Sequence, residues 1–245
     1  LGHPFCFNEF VGLPWLFKLA NFLLDLILPP VCLVCRKRGE FLCGKCKSKV
    51  EINNAFFCAE CGARLPDNRK ICHPDSYILG AAGFYKNDVL REMIAGLKYR
   101  GFKVAAPILA EILREYIRRT DFDLTGSTIV PIPLYSSRER KRGFNQARMI
   151  AEELIKKIPG AALADLLIRT RDTKSQTEFK DQEKRLMNIT NCFALANPNL
   201  MTSDVIKSRR FIILDDVFTS GATMSEAVKT LKGTGARRVA GLTVV

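Results

Sequence analysis

Apolar residues along this chain of 245 residues follow two alternating patterns, which predict strands and helices in turn. Phe211–Leu214 is an uninterrupted apolar run, as expected of a strand buried on both faces, and Thr128–Val130 is a second, shorter run. Apolar residues recur instead at helical spacing in residues 104–117, 144–158 and 227–231. Strands that alternate with helices predict an α/β fold, in which a parallel sheet carries helices on both faces.

A separate amphipathic segment precedes the sheet-forming part of the chain. Trp15–Leu28 brings its large apolar residues onto one face of a helix, and the pair Pro29-Pro30 ends that helix. We therefore predict a docking helix within residues 1–29 that covers an apolar patch of the main domain. The alternative is an interfacial membrane helix, which normally carries a row of cationic residues that this segment lacks. The apolar face comprises Leu16, Leu19, Phe22, Leu23, Leu26 and Ile27.

The same segment has too many interruptions for a secretion signal or a membrane span. Pro14, Lys18, Asn21 and Asp25 break the apolar stretch, whereas a span needs about 20 predominantly apolar residues. No small-residue cleavage site follows it. We therefore expect a cytoplasmic protein without a transmembrane segment.

The nine cysteines are spaced for metal binding rather than for disulfides. Three successive C-x-x-C pairs are followed by one further cysteine, and paired C-x-x-C knuckles bring four thiolates to tetrahedral zinc. A set of four thiolates leaves no open position on the metal, so this zinc is predicted to be structural. We place a zinc module in residues 30–79, while Cys6 and Cys192 are isolated thiols. The complete set is Cys32, Cys35, Cys43 and Cys46.

A second set of cysteines lacks one ligand. Cys58, Cys61 and Cys72 supply three thiolates, and either His73 or Asp75 could supply the fourth group. Asp75 stands at the C-x-x-C spacing from Cys72, whereas His73 is directly adjacent to Cys72. We therefore name Asp75 as the candidate fourth ligand of a possible second zinc site. The alternative is a remnant that has lost its metal.

The most distinctive polar residues follow directly after the run Phe211–Leu214. Two carboxylates come first, and a loop of small and hydroxyl residues then leads into the last helix. Backbone N–H groups at the start of a helix favour a phosphate, and Gly221 allows the backbone to approach one closely. Because carboxylates repel phosphate, they are better suited to sugar hydroxyls or to a metal-bound water. This predicts a site for a phosphorylated sugar, formed by Asp215, Asp216, Val217, Thr219, Ser220, Gly221, Ala222 and Thr223.

This stretch resembles the phosphoribosyl pyrophosphate (PRPP) motif of type I phosphoribosyltransferases: an apolar strand, an acidic pair and then T-x-G-x-T. The resemblance implies that Asp215 and Asp216 hold the ribose hydroxyls while Thr219–Thr223 surrounds the 5′-phosphate. One alternative is a core strand with a chance acidic end. Another is the Walker B strand of an ATPase, but the segment that would serve as Walker A, Gly39–Cys46, has a cysteine where a hydroxyl residue should contact magnesium.

An arginine-rich run follows the other predicted strand. Arg138 and Arg142 share a face if this run is helical, and the planar fork of donors in arginine matches phosphate oxygens. The resemblance makes the loop after Ile132 the pyrophosphate side of the site; a solvated charge run is the alternative. Asn145 is positioned to cap the next helix. The polar stretch Thr170–Lys180 is either a loop that closes over the sugar or simply a flexible connection.

A cysteine array followed by such a domain resembles the ComF family of DNA-uptake (competence) proteins. The family's cysteine is replaced by Asp75 at the second metal site, which puts that zinc in question. The resemblance implies a type I phosphoribosyltransferase-like parallel sheet flanked by helices in residues 80–245, after the small zinc module. The matching blocks are Leu97–Gly101, Val130–Leu134 and Arg142–Ala147, with Thr177 and Asn188-Ile189 in a segment like the family's mobile loop.

The function implied by this resemblance is PRPP binding by a protein that handles single-stranded DNA during natural transformation, beside a helicase partner. Mg²⁺ would accompany the PRPP, and any turnover would be of the glycosyltransferase class. The alternative is a metabolic phosphoribosyltransferase of nucleotide salvage or biosynthesis, although no pocket for a particular acceptor is recognisable. A PRPP sensor without chemistry is a third reading.

The charge balance is consistent with an acidic partner. The formal net charge is +13, and after Ala81 the lysines and arginines outnumber the aspartates and glutamates by 28 to 18. Aromatic residues near basic ones could stack on DNA bases or could equally fill the core. These residues are Phe102, Tyr135, Phe144 and Phe179.

Overall fold

A computed structural model describes residues 29–173, 189–197 and 203–245. Several predicted features lie outside these ranges. They are the helix Trp15–Leu28, the thiol of Cys6, most of the loop Thr170–Lys180, and the residues Thr177, Phe179 and Asn188.

The described residues form eight strands and seven helices that largely alternate. The strands are β1 (Phe56–Cys58), β2 (Ile78–Ala81), β3 (Thr128–Pro131), β4 (Ala162–Leu163), β5 (Leu167–Arg169), β6 (Phe193–Leu195), β7 (Arg210–Asp215) and β8 (Arg238–Thr243). The helices are α1 (Gly44–Lys47), α2 (Asp88–Arg100), α3 (Ala105–Thr120), α4 (Ser136–Arg142), α5 (Gln146–Ile155), α6 (Ser203–Ser208) and α7 (Ala222–Lys232).

Six of the strands form one sheet in the order β1-β2-β8-β7-β3-β4, and β5 pairs with β6 in a separate antiparallel ribbon. Within the large sheet only the edge pair β1–β2 is antiparallel. The predicted parallel sheet is therefore confirmed. Because β3 and β7 are parallel neighbours, their carboxyl ends meet at the same edge of the sheet, where α/β proteins bind ligands.

The central strand β7 divides the core into two apolar clusters, one on each face of the sheet. Ile212 and Leu214 belong to the cluster beneath α2, α3 and α5, whereas Phe211 and Ile213 belong to the cluster beneath α7. All four side chains are at most 1% exposed. This alternation is the period of two expected of a strand, with both faces covered as predicted from the unbroken apolar run.

The zinc-module segment is joined to the main domain by sheet pairing and buried contacts. β1 and β2 extend the sheet at the β8 edge, so the predicted boundary between residues 79 and 80 falls inside β2. The buried Tyr116 hydroxyl of α3 donates to the Ala55 carbonyl at 2.7 Å, and the Phe56 ring packs edge-on against Tyr116. The Arg69 guanidinium donates to two backbone carbonyls at the end of α3.

Among the described residues, no helix combines the length and the apolar character that crossing a membrane would require.

Candidate functional site

A pocket of about 250 Å³ opens where β3 and β7 end, at the edge expected from the sheet topology. Its floor comes from the residues after β7, one wall from α2, and the opposite wall from the segment after β3 together with β5. The lining residues discussed below are Tyr85, Arg91, Lys98, Tyr99, Arg138, Gln146, Arg169, Asp215, Asp216, Val217, Thr219 and Thr223.

The two adjacent carboxylates on the floor have different partners. Asp216 is 1% exposed, and its Oδ2 lies 2.5 Å from Lys98 Nζ. Its Oδ1 accepts a hydrogen bond from Gln146 Nε2 at 3.2 Å. Asp215 instead accepts from the backbone N–H of Asp216 at 2.8 Å. Both aspartates line the pocket, but Asp216 is engaged by protein side chains, whereas no cationic side chain of the described residues is bonded to Asp215.

These surroundings shift the pKa values of the two carboxyls in opposite directions. Burial and the neighbouring Asp216 carboxylate raise the pKa of Asp215 well above its ordinary value. Burial would also raise the pKa of Asp216, but the charge of Lys98 and the hydrogen bonds from Asp215, Lys98 and Gln146 together outweigh it, so the pKa of Asp216 is lowered. For Lys98 the carboxylates outweigh burial and raise its pKa. The floor therefore contains a charged pair, Lys98–Asp216, beside a carboxyl that holds its proton more tightly.

The loop after β7 is fixed by backbone hydrogen bonds to Val245. Phe218 N–H donates to the Val245 carbonyl at 2.6 Å, and Val245 N–H donates to the Asp216 carbonyl at 3.3 Å. Gly221 precedes α7 with a φ of +75°, and a Cβ at this position would lie 2.6 Å from Phe218 Cζ. Glycine suits this turn, because the backbone angle is strained for other residues and a Cβ would require the Phe218 ring to shift. The turn places the N-terminus of α7 beside the floor.

The loop residues predicted to surround a phosphate divide into two groups. Val217, Thr219 and Thr223 line the pocket together with the acidic pair. Ser220, Gly221 and Ala222 form the turn into α7 and are not among its lining residues.

The arginine-rich run forms the helix α4, but its two candidate arginines differ in position. Arg138 lines the pocket, and its guanidinium donates to the Thr173 carbonyl and lies 3.5 Å from Asp172. Arg142 does not line the pocket. Its guanidinium donates to Gln146 Oε1, and the Nε2 of the same Gln146 amide donates to Asp216. Arg142 is therefore linked to the pocket through Gln146.

The end of α4 and the start of α5 hold Gln146 in place. Asn145 caps α5, as predicted, by accepting from the backbone N–H groups of Ala147 and Arg148. Its side-chain amide also donates to the buried Ile132 carbonyl at 2.9 Å, which ties the cap to the end of β3. Gln146, 5% exposed, is thereby directed toward Asp216.

Arg169, at the end of β5, is a site residue that the sequence reasoning missed. Its Nε is buried and has no hydrogen-bond partner among the described residues, although its guanidinium also donates to Thr173 and lies over the Phe193 ring. Burial lowers the pKa of Arg169, and the nearby Arg138 guanidinium acts in the same direction. A buried donor on a guanidinium that faces a second guanidinium is the arrangement expected where an anion binds.

Lys98, Gln146 and the tyrosines of the pocket were also assigned no role from the sequence. Lys98, Tyr99 and Gln146 lie inside the blocks that resemble the ComF family, and this was the signal available for them. The aromatic residues predicted to stack on bases are less accessible than Tyr85 and Tyr99. Phe102, Tyr135 and Phe144 are all partly buried.

The first cysteine set has the arrangement of a closed zinc site. The ligand atoms of Cys32, Cys35, Cys43 and Cys46 all lie within 4.8 Å of one another. Cys35 Sγ and Cys43 Sγ are 3.5 Å apart, close to the roughly 3.8 Å between sulfurs that tetrahedral zinc with bonds of about 2.3 Å requires. Four thiols fit structural zinc without an open position.

The second set is completed by His73, so the prediction that Asp75 is its fourth ligand was wrong. The ligand atoms of Cys58, Cys61, Cys72 and His73 lie within 4.8 Å of one another, and His73 Nδ1 is 3.5 Å from Cys58 Sγ. The chain turns after His73, whose carbonyl accepts from Ser76 N–H. After this turn Asp75 is not part of the cluster, and its backbone carbonyl accepts a hydrogen bond from Lys232 Nζ at 3.3 Å.

Comparison with protein families identifies the same two parts. A family described as "Double zinc ribbon domain" matches residues 23–74. A family described as "Phosphoribosyl transferase domain" matches residues 141–245. The match to a double ribbon agrees with the two zinc-type clusters, so the zinc module is structural in role.

Curated relatives resemble this chain over most of its length. Competence protein F of Haemophilus influenzae is 27% identical over 85% of this chain and 93% of its own. DNA utilization protein YhgH of Escherichia coli K12 is 28% identical over 87% of this chain and 96% of its own. Competence protein ComFC of Bacillus subtilis is 29% identical over 80% of this chain and 79% of its own. Together with the matches to a double zinc ribbon and to a phosphoribosyltransferase domain, these relatives support the resemblance of the chain to the ComF family of competence proteins.

Proposed function

We propose that this protein binds PRPP in the pocket at the end of β7 and acts on single-stranded DNA during DNA uptake. The main support for PRPP is the charge pattern of the pocket. The acidic residues Asp215 and Asp216 occupy the floor, and Arg138 and Arg169 occupy one side. A ligand that carries hydroxyls in its middle and phosphates at its ends complements this pattern.

The observed contacts suggest a role for each group. Asp215 would accept hydrogen bonds from the ribose hydroxyls, since Asp216 is already bonded to Lys98 and Gln146. The turn that leads into α7 would take the 5′-phosphate, with Thr219 and Thr223 on the pocket side. Arg138 and Arg169 would bind the diphosphate.

The residues of the floor also fit the Mg²⁺ that accompanies diphosphate ligands. Mg²⁺ uses one or two carboxylates together with water and substrate phosphates, so Asp215 and the ligand itself would hold it. The ion would supply neutralisation of the diphosphate charge.

The DNA part of the proposal is supported by the relatives and by charge. The relatives named above are competence and DNA utilization proteins. The formal net charge of +13 falls to about +10 with two zinc ions, because zinc on four thiolates lowers it by two and zinc on three thiolates and a neutral imidazole lowers it by one. The reduced thiolates that zinc requires support a cytoplasmic location, where a helicase motor is a natural partner.

Calorimetric titration with PRPP and Mg²⁺, and then with a single-stranded oligonucleotide, tests both halves of the proposal. The double variant Asp215→Ala, Asp216→Ala should lose PRPP binding and keep its zinc. The double variant Cys32→Ser, Cys35→Ser should lose zinc from the first cluster and keep PRPP binding while it remains folded. Absence of PRPP binding by the wild-type protein would refute the first half, and DNA affinity that does not fall with salt would refute the electrostatic basis of the second.

Turnover separates this proposal from a metabolic phosphoribosyltransferase. The intact Lys98–Asp216 pair and the two arginines give the pocket the groups that catalysis would need. Release of pyrophosphate from PRPP is measured on addition of each of a panel of free bases and amines. Rapid release with one acceptor would favour the metabolic enzyme, whereas binding without release would favour the DNA-uptake role.

A further inference from the structure

The two most exposed large side chains with apolar character, among the described residues, are both tyrosines that line this pocket. Tyr99 is 74% exposed and Tyr85 is 52% exposed. The pocket is small, and its other lining residues are charged, polar or aliphatic, with no further aromatic ring among them. Two accessible phenol rings at one site are therefore a distinct feature of its chemistry.

The exposure of Tyr99 is fixed by the register of α2. One face of this helix contains Leu90, Met93 and Leu97, which are fully buried in the core. Tyr99 lies on the face that lines the pocket. The other residues of this face are Arg91, Ile94, Ala95 and Lys98. The core contacts of α2 thus hold Tyr99 at the pocket and away from the interior.

The position of Tyr85 is fixed by the cap at the start of the same helix. The Asn87 side chain accepts from the backbone N–H groups of Val89 and Leu90. The Asn87 amide also donates to the Lys49 carbonyl at 2.7 Å, which anchors the cap to the zinc module. Tyr85 precedes this anchored residue by two positions, so it stays at the same wall as Tyr99.

We propose that Tyr85 and Tyr99 bind a planar heterocyclic base by stacking, beside the sugar-phosphate site. This inference rests on the proposed function, because it assigns the remaining wall of the same pocket. Aromatic side chains stack on every base, since each base presents a π face. Arg91 and Lys98 line the same wall, each in an ion pair with an aspartate, so stacking on the two rings is the main interaction that this wall offers a base. The base belongs either to a free nucleotide or to one position of a DNA strand.

The first test compares ligands that differ only in the base. Calorimetry gives the dissociation constants of ribose 5-phosphate and of the four nucleoside 5′-monophosphates, and their ratio measures the gain from the base. We expect a gain of roughly tenfold to a hundredfold in the wild-type protein. The variant Tyr85→Ala, Tyr99→Ala should lose it, and the variant Tyr85→Phe, Tyr99→Phe should keep it. PRPP, which has no base, should bind all three proteins equally.

The second test identifies the source of the base. Fluorescence anisotropy compares an oligothymidylate of about 12 nucleotides with an abasic strand of equal length and charge. Strand bases at this wall predict tighter binding of the oligothymidylate, lost in the alanine variant. If the base increases the affinity of the monophosphates but not that of the oligothymidylate, the wall binds free nucleotides. The matched control is Phe41→Ala, because Phe41 is 42% exposed in a different cavity and should change neither result.

Failure of this inference is distinguishable from failure of the proposed function. If PRPP binds but the alanine variant retains the full gain from the base in both tests, the stacking wall is refuted while PRPP binding stands. If no sugar phosphate binds, the proposed function is refuted, and the oligonucleotide comparison still decides whether the tyrosines stack on bases. The stacking proposal is also refuted if, in both tests, the wild-type protein binds ligands with and without a base equally well.

Discussion

At the scale of single residues, neighbouring side chains of the same type are made chemically different by what they contact. Asp215 and Asp216 are consecutive, yet only Asp216 is bonded to Lys98. Arg138 and Arg142 lie on the same helix, yet only Arg138 lines the pocket. The members of each pair thus have different partners: Asp216 bonds to Lys98 and Gln146, and Arg142 bonds to Gln146, whereas Asp215 and Arg138 line the pocket without those bonds.

Substitution of the two aspartates should change stability in opposite directions. Asp215→Asn removes a carboxyl whose ionisation is unfavourable in the folded protein, so we expect a gain of about 1 kcal/mol in the free energy of unfolding near neutral pH. Asp216→Asn leaves the partly buried Lys98 ammonium without its partner and should cost about 3 kcal/mol. Both variants should bind PRPP poorly. Chemical denaturation and calorimetry measure the two effects.

The pH dependence provides the control for this pair. A raised pKa means that the folded state holds the Asp215 proton more tightly, so this group destabilises the wild-type protein as pH rises above the ordinary value of 3.8. The advantage of Asp215→Asn should consequently shrink as pH falls toward 4. An advantage that is constant across this range, or destabilisation by both variants, would contradict the assignment.

Arg169 should matter for binding more than for folding. Arg169→Leu removes a buried donor that lacks a partner among the described residues, so we expect PRPP to bind about tenfold to a hundredfold more weakly. The free energy of unfolding should stay level or rise, because the cost of burying the charge disappears. Arg171→Leu is the matched control: Arg171 is exposed and bonds to the Thr190 carbonyl. Equal loss in both variants would indicate a nonspecific charge effect.

The sequence predicted the pocket-lining residues that lie in recognisable local patterns, including Arg138 in the arginine-rich run. Asp215 and Asp216 end a recognisable strand, and the following loop has a recognisable composition, so local pattern was enough. Lys98 and Arg169 reach the pocket from distant elements, and no local pattern indicates that they meet there. Asp75 was preferred to His73 because His73 adjoins Cys72, whereas the structure brings the His73 ring, and not the Asp75 carboxylate, to the three cysteines.

At the scale of elements, periodicity predicted several segments of the sheet and its helices and left others undetected, including the 13-residue helix α2 and the strand β8. The strands β3 and β7 and the helices α3, α5 and α7 all lie where the apolar pattern placed them. β1, β5 and β6 have three residues each, too few for a period of two to stand out. Their strand character comes from pairing with residues far along the chain, which a single sequence does not show.

The second zinc knuckle gives a prediction at this scale. His73→Asn should lower the zinc content from two ions per chain to one, because three thiolates without the imidazole hold the metal more weakly. Asp75→Asn should leave two ions, since the carboxylate of Asp75 is outside the cluster. Elemental analysis of the purified variants measures this directly. Loss of zinc in Asp75→Asn but not in His73→Asn would restore the original ligand assignment.

At the scale of the whole molecule, the zinc ribbons and the ligand-binding domain share structure instead of meeting at a linker. Cys58 is both a ligand of the second cluster and the last residue of β1. β1 pairs with β2, and β2 pairs in parallel with β8, which lies next to β7. The second metal site is therefore three strands away from the strand that carries Asp215. Cysteines of the first cluster also pack in the same apolar cluster as Ile212.

Removal of zinc should accordingly lower the melting temperature of the entire described fold in one transition. Metal binding supplies much of the folding free energy of such knuckles, and strands β1 and β2 depend on the knuckle that Cys58 anchors. Circular dichroism at 222 nm, recorded on the zinc-loaded protein and after treatment with a chelator, gives the transition, and hydrogen exchange gives its extent. We expect the amides of β8 to lose protection after chelation, together with those of β1 and β2.

The variants Cys35→Ser and Cys61→Ser separate the contributions of the two clusters. Cys61→Ser should expose β8 amides most, because its cluster includes Cys58 of β1, whereas Cys35→Ser should act mainly through the packing around α1 and α2. Added PRPP should oppose both effects if it binds only the folded protein. Two separate transitions, with β7 and β8 fully protected after zinc is removed, would instead show that the ribbons and the ligand-binding domain fold independently despite their shared sheet.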